Sequence, residues 1–196
     1  SNPHGHGYAD LLFIPPEFVQ SVNITEGPFE PRQGDFAFAG SADYRLSMPQ
    51  RGSYVRYGFG SFNTHRVLAV VAPEGMDDQS FAGFEFYKTA GYGPNRAAQR
   101  ATGLASYAMS HDRRNLRWRI SLFGYSARYD QPGVVRQDDY ESGEVGFFDT
   151  YDSNQGGESH RFLLTFHTDI GERPSQFQQV SWFGYRTMRL RANFTG

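Results

Sequence analysis

The stretch VNITEGPFEPRQGDFAFAGSADYRL, residues 22–46, decides the reading of this chain. Two short alternating segments, one around Val22 and Ile24 and one after Gly40, are separated by a Gly27-Pro28 turn and spaced glycines. Proline fixes φ and removes a donor, and glycine admits positive φ, so the backbone must turn tightly here before it can extend again. The stretch therefore reads as a small element handing over to a long β-sheet.

The chain as a whole has the composition of a turn-rich all-β protein: 196 residues, 16% aromatic, with 22 glycines and 10 prolines. Downstream of Pro49 seven segments of strand character are expected, near 52–60, 62–72, 80–91, 100–110, 115–129, 160–169 and 178–192. Alternation is cleanest where Leu116, Trp118, Ile120 and Leu122 interleave with Arg117, Arg119 and Ser121. A second case sets Phe162, Leu164 and Phe166 against Arg161, Thr165 and His167. Such a period-2 pattern describes a sheet whose two faces meet different surroundings. After Phe123 the aromatic character moves to Phe123, Tyr125 and Tyr129, and a bulge near Gly124 would account for the change of phase.

Mean hydropathy of -0.61 excludes a bundle of membrane helices. It leaves a membrane β-barrel open, because lipid-facing and lumen-facing residues average to a polar sequence. The connections point the same way. Those at 73–79, 111–115 and 171–175 are short and polar, whereas 130–158 is long, and outer-membrane barrels combine short periplasmic turns with long outer loops. Cysteine is absent, which removes disulfides, thiolate metal sites and Cys nucleophiles together. A net charge of -2 leaves no electrostatic footprint for nucleic acid.

The 22–46 stretch resembles the end of the plug domain of TonB-dependent outer-membrane receptors, on Val22, Ile24, Gly27, Pro28, Gly34 and Gly40. Three positions depart from that pattern: Asn23 stands where an acid is usual, Ala39 replaces a glycine and Asp43 replaces an asparagine. Residues 91–109 look like an outer hairpin of such receptors, and 137–164 like a long surface loop descending into a strand. The resemblance implies residues 1–46 as the C-terminal part of a plug, with Gly27, Pro28, Gly34 and Gly40 as plug-to-barrel structural positions. Residues 47–196 become the N-terminal portion of a transmembrane β-barrel. About seven antiparallel strands are present where the family has 22. Seven strands cannot close, so the chain is expected to be part of a larger barrel.

The function so implied is energy-coupled uptake of a scarce nutrient, such as a siderophore, metal chelate, cobalamin, sugar or peptide, in the bacterial outer membrane. Expected partners are a TonB-type periplasmic protein acting through a segment absent from this chain, outer-membrane lipid and lipopolysaccharide, a small-molecule or peptide ligand, and other surface proteins. A structural or adhesion barrel without transport, and a soluble β-sandwich carbohydrate-binding module, remain as alternatives.

Ligand contacts are expected from the plug apex, at His4, His6 and Tyr8, and from the long loop, at Tyr140, Phe147, Phe148 and Tyr151. The His4-Gly5-His6 spacing offers two imidazoles but no fixed third ligand, so no metal is expected there. The acids Asp138, Asp139, Glu141, Glu144, Asp149 and Asp152 lack the spacing of a calcium loop and read as a solvated surface. His111-Asp112 has no nucleophile motif beside it; no enzyme activity and no cofactor are expected. Arg117, Arg119, Arg186, Arg189 and Arg191 are expected to line a lumen and pair with plug carboxylates.

Overall fold

The computed structural model describes residues 13–29, 39–111, 115–172 and 174–192. Its architecture is all-β and antiparallel, with one short helix. A 3-10 turn (Pro16–Phe18) leads into β1 (Val19–Glu26), which pairs with β2 (Gly40–Leu46) in a two-stranded sheet. Then come β3 (Gly52–Gly60), β4 (Thr64–Ala72), β5 (Phe81–Thr89), β6 (Ala98–His111), β7 (Leu116–Asp130), α1 (Gln137–Ser142), β8 (Gly156–Ile170) and β9 (Phe177–Arg191). Strands β3 to β9 form one seven-stranded meander in which each pairs with its sequence neighbours. All seven expected segments are present, with ends moved by up to four residues.

The sheet is open. Among the described residues β3 and β9 do not meet, and no closed barrel forms. Its connections gather at two ends. The chain passes from β4 to β5, from β6 to β7 and from β8 to β9 at one, here the turn end, and the connections 61–63, 90–97 and 131–155 lie at the other, the loop end. Loop length sorts by end less strictly than expected, because β3 and β4 are joined at the loop end by only three residues, 61–63.

Pairing runs unbroken along β7 on both sides, through Gly103↔Gly124 and Gly124↔Phe162, so the expected bulge at Gly124 is absent. The aromatic change has another cause. Phe123 and Tyr125 lie on the same face as Arg117 and Arg119, and that face turns apolar where the N-terminal segment covers it. The Phe13 ring sits 5.5 Å from Phe123 and 6.3 Å from Tyr125, both edge-on.

The core forms at this contact. Phe18 is fully buried among Met48, Leu68, Val70, Ala72, Phe81 and Leu104, and stacks on Phe81 with ring centroids 5.4 Å apart. Strand register places Leu68, Val70, Phe81 and Leu104 on one face, so the N-terminal segment packs on what we call the inner face of the sheet. Residues 47–51 carry the chain between the two sheets. Met48 N–H donates to the Asp78 carbonyl (2.9 Å), and the Arg51 guanidinium donates to the carbonyls of Met48, Pro73 and Ser80, each at 2.8 Å. Four carbonyls and one amide are thereby satisfied at the turn end.

Between β1 and β2, Gly27 (φ 76°) donates its N–H to Ala39 O at 3.0 Å, which ties the loop at its base. Gly40 is required by proximity: a Cβ there would lie 2.5 Å from Thr25 O. Pro28 follows Gly27 in the same turn, while Gly34 lies outside the described residues.

Candidate functional site

Three features of the sheet bear on function: its outer face, the contact across its inner face, and the side chains gathered at the loop end.

Strand register places Val55, Tyr57 and Phe59 of β3 on the outer face. Beside them in later strands lie Phe84, Tyr107, Trp118, Ile120, Leu122, Phe162, Leu164, Phe166, Phe183 and Tyr185. Leu116, Trp118, Ile120 and Leu122 thus share one face, opposite Arg117 and Arg119. Large apolar side chains stand open on this face, with Val55 and Phe59 each 72% exposed. Contiguous exposure on this scale far exceeds the scattered hydrophobics of ordinary surfaces. Toward the loop end the same face turns polar. Glu158 there lies between Arg189 (3.4 Å) and Arg128 (3.7 Å). Arg189 and Arg191 therefore belong to the outer face beyond the apolar band, not to the inner one as expected, because both have the parity of Phe183 and Tyr185. Arg117, Arg119 and Arg186 do lie on the inner face.

On the inner face the charges meet the N-terminal segment at residues that sequence reasoning did not single out. Both carboxylate oxygens of Glu17 accept from Arg66, Nη1 and Nη2 each at 2.7 Å, and Arg56 lies 3.4 Å away. Buried Glu85 accepts from Arg66 Nε (2.6 Å) and Arg100 Nε (3.1 Å), and Arg100 stacks over Tyr87 at 4.4 Å. Two carboxylates and three guanidiniums thus alternate, and the forked Arg66 pair is the strong, directional kind. The Arg66 hydrogen bonds hold the Glu17 carboxyl below its ordinary range. Arg119, instead of a carboxylate, donates to the Gln79 side chain at 2.5 Å.

At the loop end the three connections are pinned together. Asn95, whose φ of 52° turns the 90–97 loop, donates from Nδ2 to Gln131 O (2.6 Å) and Gln155 O (3.1 Å), the two feet of the long loop. Arg96 donates from Nη1 to Phe148 O (2.6 Å), and its guanidinium lies 5.0 Å from the Tyr92 ring centre and 5.7 Å from that of Phe148. Five rings make a row across all three loops: Phe62–Tyr92 at 6.5 Å, Tyr92–Phe148 at 5.9 Å, Phe148–Phe147 at 5.1 Å and Phe147–Tyr140 at 6.0 Å. Every step is edge-to-face, the favourable geometry for such pairs. Phe62 is held at φ 60°, an outlier for a bulky residue, with its carbonyl accepting from Ala90 N–H at 2.9 Å. Strain of this kind persists where surrounding structure enforces it, and here it keeps an aromatic ring at a loop tip.

The structure brings Tyr140, Phe147 and Phe148 together and adds Phe62, Tyr92 and Arg96, which sequence reasoning missed. The spacing of exposed aromatics at successive loop tips was the signal that could have found them. Tyr151 has a different place: its hydroxyl donates to Asp139, whose carboxylate holds the phenol above its usual range. Arg136 pairs with Asp138 and holds that carboxyl low. The Tyr151–Asp139 contact braces α1 against 150–152, and α1 ends at Gly143 (φ 79°). Among the described residues, no three His, Asp or Glu side chains converge as a metal site. His4, His6 and Tyr8 lie outside the described residues.

No family model, curated protein or solved structure matches this chain.

Proposed function

We propose that this chain is the plug-to-barrel region of a TonB-dependent outer-membrane receptor. In this reading β3 to β9 are consecutive barrel strands, and the segment before Leu46 is the end of the plug. The loop end faces outward to capture a ligand, and the turn end faces the periplasm, where a TonB-type protein supplies energy. One observation carries the reading: a broad band of large apolar side chains stands open on the outer face, while the N-terminal segment packs on the inner face, where its Phe18 enters the core and its Glu17 meets Arg66. A water-soluble domain covers such a band, since burying apolar area is what drives its folding. Lipid against the outer face and a plug against the inner face reconcile the two. The polar belt of Arg128, Glu158 and Arg189 then lies at headgroup level, where lipopolysaccharide is the expected neighbour.

A β-sandwich lectin module would need a second sheet over the outer face, and none of the described strands lies there. An adhesion barrel without transport would share every feature of the sheet and differ only in lacking energy coupling. The test has two parts. The native protein should require detergent and change gel mobility on boiling, as closed barrels do. Ligand uptake by cells should stop when the proton gradient is collapsed. A detergent-free monodisperse monomer would sink the barrel reading; uptake indifferent to the gradient would leave the barrel and remove the receptor.

A further inference from the structure

We propose that the row of rings at the loop end is a docking surface for a basic peptide, whose guanidinium or ammonium groups lie over the exposed faces of Tyr92, Phe147 and Tyr140. This deepens the receptor reading by naming the ligand class, and rests on it for the side of the membrane that the loops face.

The first observation is the state of the rings. Phe147 is 70% exposed and Tyr92 60%, so much of each ring meets solvent with its edge-to-face neighbours in place. Ring faces carry negative potential and attract cations. The second is an internal example. Arg96 already occupies the notch between Tyr92 and Phe148, and among the described residues no carboxylate forms an ion pair with it. The rings and the carbonyls of Pro94 (2.9 Å) and Phe148 hold that guanidinium without help from an anion.

The third is the charge around the row. The connections 61–63, 90–97 and 131–155 carry six carboxylates (Asp138, Asp139, Glu141, Glu144, Asp149 and Asp152) against two guanidiniums (Arg96 and Arg136), a net of -4. That field draws cations to the loop end and repels small anions. Other polar groups near the rings are occupied within the loops. The Asn95 amide is spent on Gln131 and Gln155, and Gln137 donates to Glu141. Finally, the row is open and extended, with ring-to-ring steps of 5.1–6.5 Å. That suits a chain of spaced cations, up to about six extended residues, better than a compact solute.

Calorimetric titration of the detergent-purified protein decides the matter, with three probes: a hexapeptide alternating glycine and arginine, its glycine–glutamine counterpart, and spermidine. The arginine peptide should bind saturably, with the glutamine peptide and spermidine each at least about tenfold weaker. The substitutions Tyr140→Leu and Phe147→Leu leave the loop charge unchanged and together should weaken the arginine peptide about tenfold. Phe147→Tyr, which keeps a ring, should bind as the parent does. Arginine-peptide binding that ignores the ring substitutions reflects charge alone and overturns the proposal, as does equal or better binding of the glutamine peptide. Spermidine binding as tightly as the peptide removes the peptide as occupant. Gel mobility of the same preparations separates the two readings: a heat-modifiable barrel that ignores the arginine peptide sinks only the ligand class.

Discussion

The ring of Phe18 fills the space that a side chain at Gly83 would need: a Cβ built on Gly83 would lie 2.0 Å from Phe18 Cζ. A knob on the N-terminal segment is thus seated in a hole on β5, with Phe81 stacked against it. Gly83→Ala should expel the ring and weaken the docking of residues 13–26 by about 1–3 kcal/mol, the usual cost of overpacking. Phe18→Ala empties the hole and should cost about 3–5 kcal/mol. Because both substitutions act on one contact, the double variant should fall well short of their sum. Hydrogen exchange of β1 amides reads all three, and an additive double variant would falsify the interlock.

Acid should loosen the same contact. Glu17 is held below its ordinary carboxyl pKa of 4.5 by Arg66, so it contributes stability that is fully present above that value and is lost as pH falls through the depressed folded pKa. Protease sensitivity of residues 13–26 should therefore rise below about pH 4.5 in the parent protein. Glu17→Gln should be more sensitive at neutral pH and show a flatter acid response. If the two proteins follow the same pH curve, Glu17 is not the group responsible.

The outer and inner faces should respond oppositely to one kind of substitution. Ile120→Arg places a guanidinium in the apolar band and should cost about 2–4 kcal/mol when the protein folds into lipid. Ser121→Arg, one residue along on the inner face, should cost far less. Folding yield into phospholipid vesicles, scored by heat-modifiable gel mobility, compares the two directly. Equal penalties would mean that lipid does not cover the outer face.

Asn95 should act as a local staple. Asn95→Gly keeps the positive φ easy and removes only the amide that reaches Gln131 and Gln155. Gln155 O keeps the Gln131 N–H (3.1 Å), so the loss of the Asn95 donor at Gln131 O should cost about 1–3 kcal/mol, confined to the loop. Limited proteolysis within 131–155 should accelerate while exchange in β6 and β7 is unchanged. Unaltered loop cleavage would place the anchoring elsewhere, for instance at Arg96 and Phe148.

All seven strands of the meander were legible in the sequence, since strict alternation in Leu116–Leu122 and in Phe162–Phe166 leaves a strand as the only way to separate two faces. The Gly27-Pro28 turn was legible for a similar reason, because so few residue types tolerate its backbone. Which partner meets each face was not, as periodicity carries parity but no neighbour. Phe123 and Tyr125 read as a register slip unless Phe13 is placed beside them. Arg189 and Arg191 read as lumenal until the unbroken β8–β9 register sets their parity. Glu17 lies in the 3-10 turn, Phe62 in one loop and Tyr92 with Arg96 in the next, and beyond an aromatic at each loop tip no pattern in the sequence links them. Only the folded meander, which carries three connections to one end and lays the N-terminal segment across its inner face, brings Glu17 to Arg66 and gathers the rings into a row.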